Sequence, residues 1–292
     1  MQIHLQLAVV ASLMFTCHIV RAQIPVKSGD KIAFLGDSIT EAGQGNPGGY
    51  VQLIGSALAA NGVQISIIGA GISGHKSNQM LERLERDVIS KKPQWMTLSC
   101  GVNDVWHGEN GIPLADYKSN ITKIVDQCQK AGIKVMILTS TMITEDQANP
   151  NNQKLAVYNE FLRKLVIEKN CLLADLNAEM QSALADAAKS QPKPAGENVL
   201  TTDGVHMAFA GDVMMAVGVL KGFGLDAAEI AKAQEAWLDV PGTYNASAQN
   251  SLTQRQVSVL AKLAAARHLS VDKLIQEEFT KMVMSLLKSS SR

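Results

Sequence analysis

Several chemically capable side chains follow directly after apolar runs of the sequence. Ser38 lies in the segment GDSIT just after the apolar run at 32–35, and Asp203 and His206 share the segment DGVH. A serine hydroxyl becomes a good nucleophile when a base removes its proton, and histidine commonly serves as that base. A carboxylate on the other ring nitrogen fixes the tautomer of the base. We therefore expect Ser38 to attack a carbonyl carbon, with His206 as base and Asp203 as its orienting residue.

Two further segments supply groups that can stabilise the negative charge formed in such an attack. Gly71 follows the second apolar run, and Asn103 lies in the segment GVND after the third. Preorganised N–H donors are what a tetrahedral oxyanion requires. We expect the backbone N–H groups of Ser38 and Gly71 and the side-chain amide of Asn103 to form this oxyanion hole. A glycine at 71 suits a backbone that must come close to substrate.

These four segments resemble the conserved blocks of the SGNH (GDSL) esterase/lipase superfamily, in the family's order and over roughly residues 31–224. The resemblance implies the same roles, with Ser38, Asp203 and His206 catalytic and Ser38, Gly71 and Asn103 as oxyanion donors. It also implies a flavodoxin-like three-layer α/β/α sandwich and an activity that needs no metal or organic cofactor.

Structural alternatives exist for each of these residues. Ser38 and Glu41 match a capping box, so the serine could merely begin a helix. Asn103 could be a turn residue and Asp203 a helix cap. Asp104 is expected to brace its loop rather than to take part in the reaction. The presence of all four blocks together favours catalysis.

The elements that must position these residues alternate between strand and helix. Apolar runs predict strands at 31–35, 64–68, 95–99, 133–138 and 171–175, and helical periodicity predicts helices at 50–60, 77–91, 114–130, 153–169 and 208–221. Such alternation is typical of an α/β fold with a parallel sheet that is covered on both faces. Ligands bind beyond the carboxyl ends of the strands in open sheets of this kind, so the four blocks should meet at one edge.

The ends of the chain predict further segments. Residues 1–22 resemble a secretory signal with a weak positively charged region, which predicts a secreted or periplasmic protein. The hydrolase domain is expected at 23–239, a linker rich in turn residues at 240–251, and a helical extension at 252–292. The apolar stripe of that extension fits either a helix packed on the domain or a surface for self-association.

Composition excludes several classes of partner. Lys+Arg and Asp+Glu are both 27, so the net charge is zero and gives no electrostatic footprint for nucleic acid. The apolar run at 7–17 is too short for a membrane span. Cys100, Cys128 and Cys171 remain after the signal, are expected to be free thiols, and have no spacing typical of a metal site.

The substrate is expected to be a small-molecule or oligosaccharide ester. The predicted lining is polar apart from one indole, and consists of Asp37, His75, Trp106, His107 and Thr141. With export, this favours a carbohydrate esterase that removes acetyl or other short acyl groups. The alternatives are a lysophospholipase or short-chain lipase with the same machinery, and a carbohydrate-binding relative that has lost catalysis.

Overall fold

A five-stranded parallel sheet organises the part of the chain that the structure describes. The computed structural model describes residues 24–190, 198–238, 240 and 254–290. The sheet has the strand order β2-β1-β3-β4-β5, and every neighbouring pair of its strands is parallel. The strands are β1 (Lys31–Gly36), β2 (Ser66–Gly71), β3 (Trp95–Ser99), β4 (Lys134–Leu138) and β5 (Leu172–Ala174). This order is the flavodoxin-like one, and it confirms the predicted α/β fold.

Helices cover both faces of the sheet. The helices of the unit that contains the sheet are α1 (Ser38–Gly45), α2 (Tyr50–Ala60), α3 (Ser77–Glu82), α4 (Leu84–Asp87), α5 (Val102–Trp106), α6 (Leu114–Lys130), α7 (Pro150–Glu168), α8 (Leu176–Ser190), α9 (Phe209–Gly222) and α10 (Ala227–Trp237). Two further helices, α11 (Gln254–Ala266) and α12 (Val271–Ser290), follow later in the chain. Helices α2, α8, α9 and α10 form one packed group, and α3, α6 and α7 form another. These groups are the outer layers of an α/β/α sandwich.

The central strands are apolar on both faces because both faces are covered. Ile32, Ala33, Phe34 and Leu35 are fully buried in β1, and every residue of β3 is buried. Continuous apolar runs are typical of parallel strands in this setting. Since all five strands run in one direction, their carboxyl ends share one edge, where the first three sequence blocks emerge, whereas the DGVH block lies between α8 and α9.

The helix predicted at 77–91 is broken into three pieces, so that prediction is wrong in detail. The chain forms α3, then α4, then a 3₁₀ turn at Ile89–Lys91. Arg83 stands at the first break with φ −95° and ψ 1°. Its side chain is only 4% exposed and bonds to the ends of two strands. This inward turn of a charged residue ends the regular helix.

The C-terminal residues form a separate unit from 245 onward. Within it, α11 and α12 pack against each other as a helical hairpin, and Ser270 Oγ caps the start of α12 by accepting from Lys273 N. Residues 1–22 and nearly all of 240–251 lie outside the described residues, so the signal and the linker stay predictions. Among the described helices, none combines the length and apolarity needed to cross a bilayer.

Candidate active site

Ser38 is the first residue of α1 and lies one residue beyond the end of β1. The N-cap is Asp37, whose Oδ1 accepts from the Ile39 N–H at 3.0 Å. Glu41 accepts instead from the Ser73 N–H at 2.9 Å. The alternative that Ser38 caps this helix is therefore wrong, and its hydroxyl is available for other contacts. The Ser38 N–H, at the first helical position, has no partner inside the helix.

The structure brings together the three side chains expected to react. His206 Nε2 lies 2.9 Å from Ser38 Oγ, and His206 Nδ1 lies 2.7 Å from Asp203 Oδ2. An ionised carboxylate only accepts hydrogen bonds, so the proton of the neutral ring must lie on Nδ1. Nε2 then has a free lone pair, which accepts the hydroxyl proton of Ser38.

Asp203 is held as an anion by its own loop. Its Oδ1 accepts from the backbone N–H groups of Val205 at 2.9 Å and His206 at 2.8 Å. Burial alone would raise the pKa of Asp203, but the His206 ring and these two N–H groups outweigh it and lower the pKa to about 2. The carboxylate therefore stays charged over the whole range in which a histidine base could operate.

Gly71 is not placed as an oxyanion donor, which corrects the sequence expectation. Its N–H donates to Gln44 Oε1 at 3.4 Å, so it is directed at a side chain of α1. A Cβ at this position would meet the backbone nitrogen of Glu41 at 2.3 Å. The glycine is thus required by the close packing of α1 on β2 rather than by an approach to substrate.

Gly74, three residues later, is better placed, and the sequence reasoning missed it. It has a φ of +74°, and its N–H makes no hydrogen bond with another described residue. Asn103 Nδ2 donates to the next carbonyl, His75 O, at 3.3 Å, which brings the amide beside this turn. The signal in the sequence was the second glycine of the segment GISG, since a turn often needs glycine at a positive φ.

Asp104 joins the two loops that carry these donors. It is fully buried, and its carboxylate accepts from the Ser77 N–H at 3.0 Å and from Cys100 Sγ at 3.4 Å. Burial raises its pKa above the ordinary value. The contact fixes the start of α3 against α5, so the bracing role that the sequence predicts agrees with these contacts.

His75 is fixed by the buried guanidinium of Arg83. Arg83 Nε donates to His75 Nδ1 at 3.1 Å, so this ring nitrogen must be unprotonated. Burial, followed by the charge of Arg83, lowers the pKa of His75 below its ordinary value. The imidazole is consequently neutral, with its hydrogen on Nε2, and offers one N–H donor.

The remaining residues of the predicted lining divide into exposed and buried ones. Trp106 is 44% exposed on α5, and His107 is exposed at the end of that helix, with Nδ1 2.9 Å from Asn103 O. Asp37 and Thr141 are only 2% and 3% exposed, so neither presents a surface to substrate in this structure. Burial raises the pKa of Asp37 to about 6.

Comparison with known proteins identifies the family. The model of the GDSL-like lipase/acylhydrolase family matches residues 34–211, which include all the side chains described above. The chain belongs to this family. It is accordingly a carboxylic ester hydrolase, as the sequence resemblance implied.

Relatives within the family include characterised esterases. The acetylxylan esterase of Geobacillus stearothermophilus is 26% identical over 69% of this chain and 97% of its own length. Esterase TesA of Pseudomonas aeruginosa is 31% identical over 36% of this chain and 51% of its own. The crystal structure of the acetyl xylan esterase AlAXEase is 35% identical, with a TM-score of 0.60, over 65% of this chain and 98% of that protein. Catalytic mutants of the Geobacillus enzyme have been solved with replacements of a serine, an aspartate and a histidine.

Proposed function

We propose that this family member is a secreted serine esterase that removes acetyl or other short acyl groups from carbohydrates. The contact of Ser38 Oγ with His206 Nε2 at 2.9 Å is the observation that carries the catalytic part of the proposal. The three residue types that meet here are those replaced in the catalytic mutants of the Geobacillus enzyme.

The first half of the reaction forms an acyl-enzyme. Ser38 Oγ attacks the ester carbonyl carbon while its proton passes to His206 Nε2. The resulting oxyanion accepts hydrogen bonds from the Ser38 N–H, the Gly74 N–H and the second N–H of the Asn103 amide. When the carbon–oxygen bond of the ester breaks, the alcohol leaves with the proton from His206. Asp203 stabilises the imidazolium that exists between these two transfers.

The second half releases the acid. A water molecule takes the place of the alcohol, gives a proton to His206 Nε2 and attacks the acyl carbon. The same three donors hold the second oxyanion, and the bond to Ser38 Oγ then breaks as His206 returns the proton to the serine. One ester and one water give one alcohol and one carboxylic acid, so the enzyme is regenerated without a cofactor.

The carbohydrate part of the proposal rests on the relatives and on the exposed groups near the reacting atoms. Two of the similar proteins are acetylxylan esterases. Asn103 and Trp106 are one helical turn apart on α5, so the half-exposed indole lies on the side of the helix that carries an oxyanion donor. A flat apolar ring with a polar edge suits the face of a sugar. The neutral Nε2–H of His75 would donate to a sugar hydroxyl.

Hydrolysis of p-nitrophenyl acetate and of acetylated xylo-oligosaccharides tests this function. The wild type should release acetate from both, and Ser38→Ala should lower kcat by ~10⁴ or more. Asn120→Ala, which removes an amide bonded to Ser77 Oγ outside the reacting groups, is a control expected to keep the wild-type rate. Equal rates for wild type and Ser38→Ala would instead favour the non-catalytic binding relative.

A groove beside α5 favours a second candidate, an esterase for longer acyl chains. It has a volume of about 420 Å³ and is lined by a largely apolar set that includes Ile112, Pro113, Leu114 and Val157. The catalytic candidates do not line it. If it holds an acyl chain, octanoate esters should be better substrates than acetate esters, and Val157→Trp should abolish that preference. A preference for acetate that Val157→Trp leaves unchanged supports the carbohydrate esterase.

Export is inferred from residues 1–22 alone. Expression of the full chain in a secreting bacterial host, followed by intact mass measurement, tests it. A mature form that begins just after Ala22 supports export, whereas a full-length product in the cytoplasm contradicts it.

A further inference from the structure

The side chains of Asp203 and His206 lie at the protein surface, although Val205 between them is buried, so their own burial does not fix the position of the loop that carries them. The side chain of Asp203 is 50% exposed and that of His206 is 36% exposed. Within the loop, Thr202 N donates to His206 O at 2.8 Å, which closes a small hairpin. These internal bonds fix the shape of the loop, but they do not fix its distance from Ser38.

A carboxylate in the segment between β4 and α7 bonds to this loop. Glu145 follows β4 in the chain, and its Oε2 accepts from the Val199 N–H at 2.7 Å. Its Oε1 accepts from the Leu200 N–H at 2.7 Å and from both the N–H and the hydroxyl of Thr201 at 2.8 Å. Three successive backbone N–H groups and one hydroxyl thus donate to a single carboxylate, and the last of these donor residues, Thr201, lies two positions before Asp203.

The residue before Glu145 makes a second attachment and is strained. Thr144 has a φ of +66°, a conformation that a β-branched residue rarely adopts. Its N–H donates to Gly204 O at 2.8 Å, inside the DGVH segment. A Cβ at Gly204 would lie 3.1 Å from Thr144 Cα, so the two backbones are in close contact. Strain of this kind persists where the surrounding structure imposes it, often at functional sites.

We propose that Glu145 is a positioning residue for catalysis, which holds the Asp203–His206 loop at the distance from Ser38 that proton transfer requires. The inference rests on the proposed function, since it assigns a partner to the base of that reaction. Burial raises the pKa of Glu145, but the hydrogen bonds from residues 199–201 outweigh it and lower the pKa below its ordinary value. The attachment therefore acts as a charged acceptor at neutral pH.

Two substitutions of Glu145 should lower kcat to different extents. Glu145→Gln keeps an oxygen for the three bonds to Oε1 and loses the one to Val199, so kcat should fall about tenfold. Glu145→Ala loses all four, and misplacement of a base by about 1 Å lowers kcat on the order of 10²-fold. KM for p-nitrophenyl acetate should stay within about twofold, because Glu145 does not touch substrate. Glu160→Ala removes an exposed carboxylate on α7 as the matched control and should leave kcat unchanged.

A double-mutant cycle separates positioning from general damage to the fold. In a His206→Ala background the base is absent, so Glu145→Ala should lower the residual rate no further. Hydrogen exchange supplies a readout besides activity: amides of 199–206 should exchange faster in Glu145→Ala, while those of β1 and β3 remain protected. If Glu145→Ala does not fold, Glu145→Gln gives the same comparison.

Two results would overturn the inference. One is a wild-type kcat in both Glu145 variants, and the other is an equal loss with and without His206. Failure of the proposed function is recognised separately, because Ser38→Ala would then keep the wild-type rate whatever the Glu145 variants do.

Discussion

Replacement of Arg83 by methionine tests whether the buried guanidinium holds the strand ends that carry the site. Arg83 donates to Ala70 O at 2.8 Å, Gly36 O at 2.9 Å, Asp87 Oδ2 at 3.0 Å and His75 Nδ1 at 3.1 Å. Methionine has a similar length and fills part of the space, but it donates no hydrogen bond. The change therefore leaves the apolar packing largely in place and removes four polar contacts.

The expected loss follows from which partners stay satisfied. Breaking a buried ion pair typically costs about 3–5 kcal/mol. Asp87 keeps its bonds to Arg86 at 2.7 and 3.0 Å, and Gly36 O keeps the Ile72 N–H at 3.1 Å. Because these partners keep other hydrogen bonds, the lower end of this range of free energies applies. We therefore expect the free energy of unfolding to fall by about 3 kcal/mol.

Arg86→Met is the matched control, because Arg86 pairs with the same Asp87 but is 72% exposed. Exposed ion pairs contribute only about 0–1 kcal/mol. Urea unfolding followed by tryptophan fluorescence measures both variants, since Trp95, Trp106 and Trp237 all lie in the first structural unit. If the free energies of unfolding of Arg83→Met and Arg86→Met differ by less than about 1 kcal/mol, the hydrogen bonds of Arg83 to the strand ends do not stabilise the fold.

Four further changes have defined expectations. Asn103→Ala removes the amide that we propose as an oxyanion donor and should lower the single-turnover rate constant ~10²–10³-fold, and a rate near wild type would exclude it from that role. Asp203→Asn should lower kcat on the order of 10⁴-fold. Because the pKa of Asp203 is about 2, the acid limb of the wild-type kcat/KM profile should follow a single proton, and a two-proton limb would contradict the assignment of Asp203 as an anion. His75→Ala should raise KM about tenfold for acetylated oligosaccharides but not for p-nitrophenyl acetate, and an equal change for both contradicts sugar recognition. Burial raises the pKa of Asp212 from 3.8 to about 7. The protonated carboxyl therefore stabilises the folded protein fully below about pH 4, and this contribution is lost as the pH rises through 7. Asp212→Asn should raise the free energy of unfolding by up to about 4 kcal/mol at about pH 8 and change it little at about pH 4, and no gain at the higher pH would contradict the shift.

Much of the fold could be predicted from the sequence because buried parallel strands give continuous apolar runs. The predicted strand at 95–99 has the observed bounds, and the others differ by a few residues. The sequence pattern does not predict helices α5, α8 and α10. The break at Arg83 could not be seen either, because helical periodicity assigns a charged residue to the solvent face and does not register the strand-end carbonyls that bind it.

The residues of the candidate site could likewise be predicted only in part. Ser38 and His206 are 168 positions apart in the chain, and both the strand pattern and the matching sequence blocks indicate that they meet. The pattern points to Gly71 as the glycine of the block after the strand predicted at 64–68, whereas the observed β2 extends to Gly71 and the direction of its N–H depends on that structure. Glu145 gave no signal at all, since its partners are backbone N–H groups, which look the same in every sequence.

Covalent trapping tests the central claim that Ser38 is the nucleophile activated by His206. The wild type, treated with a fluorophosphonate and analysed by peptide mass spectrometry, should carry one phosphonyl group on the Ser38 hydroxyl. Labelling should slow by ~10³ or more in His206→Ala, since the base is missing. A label on any other residue, or equal labelling rates with and without His206, would contradict the account.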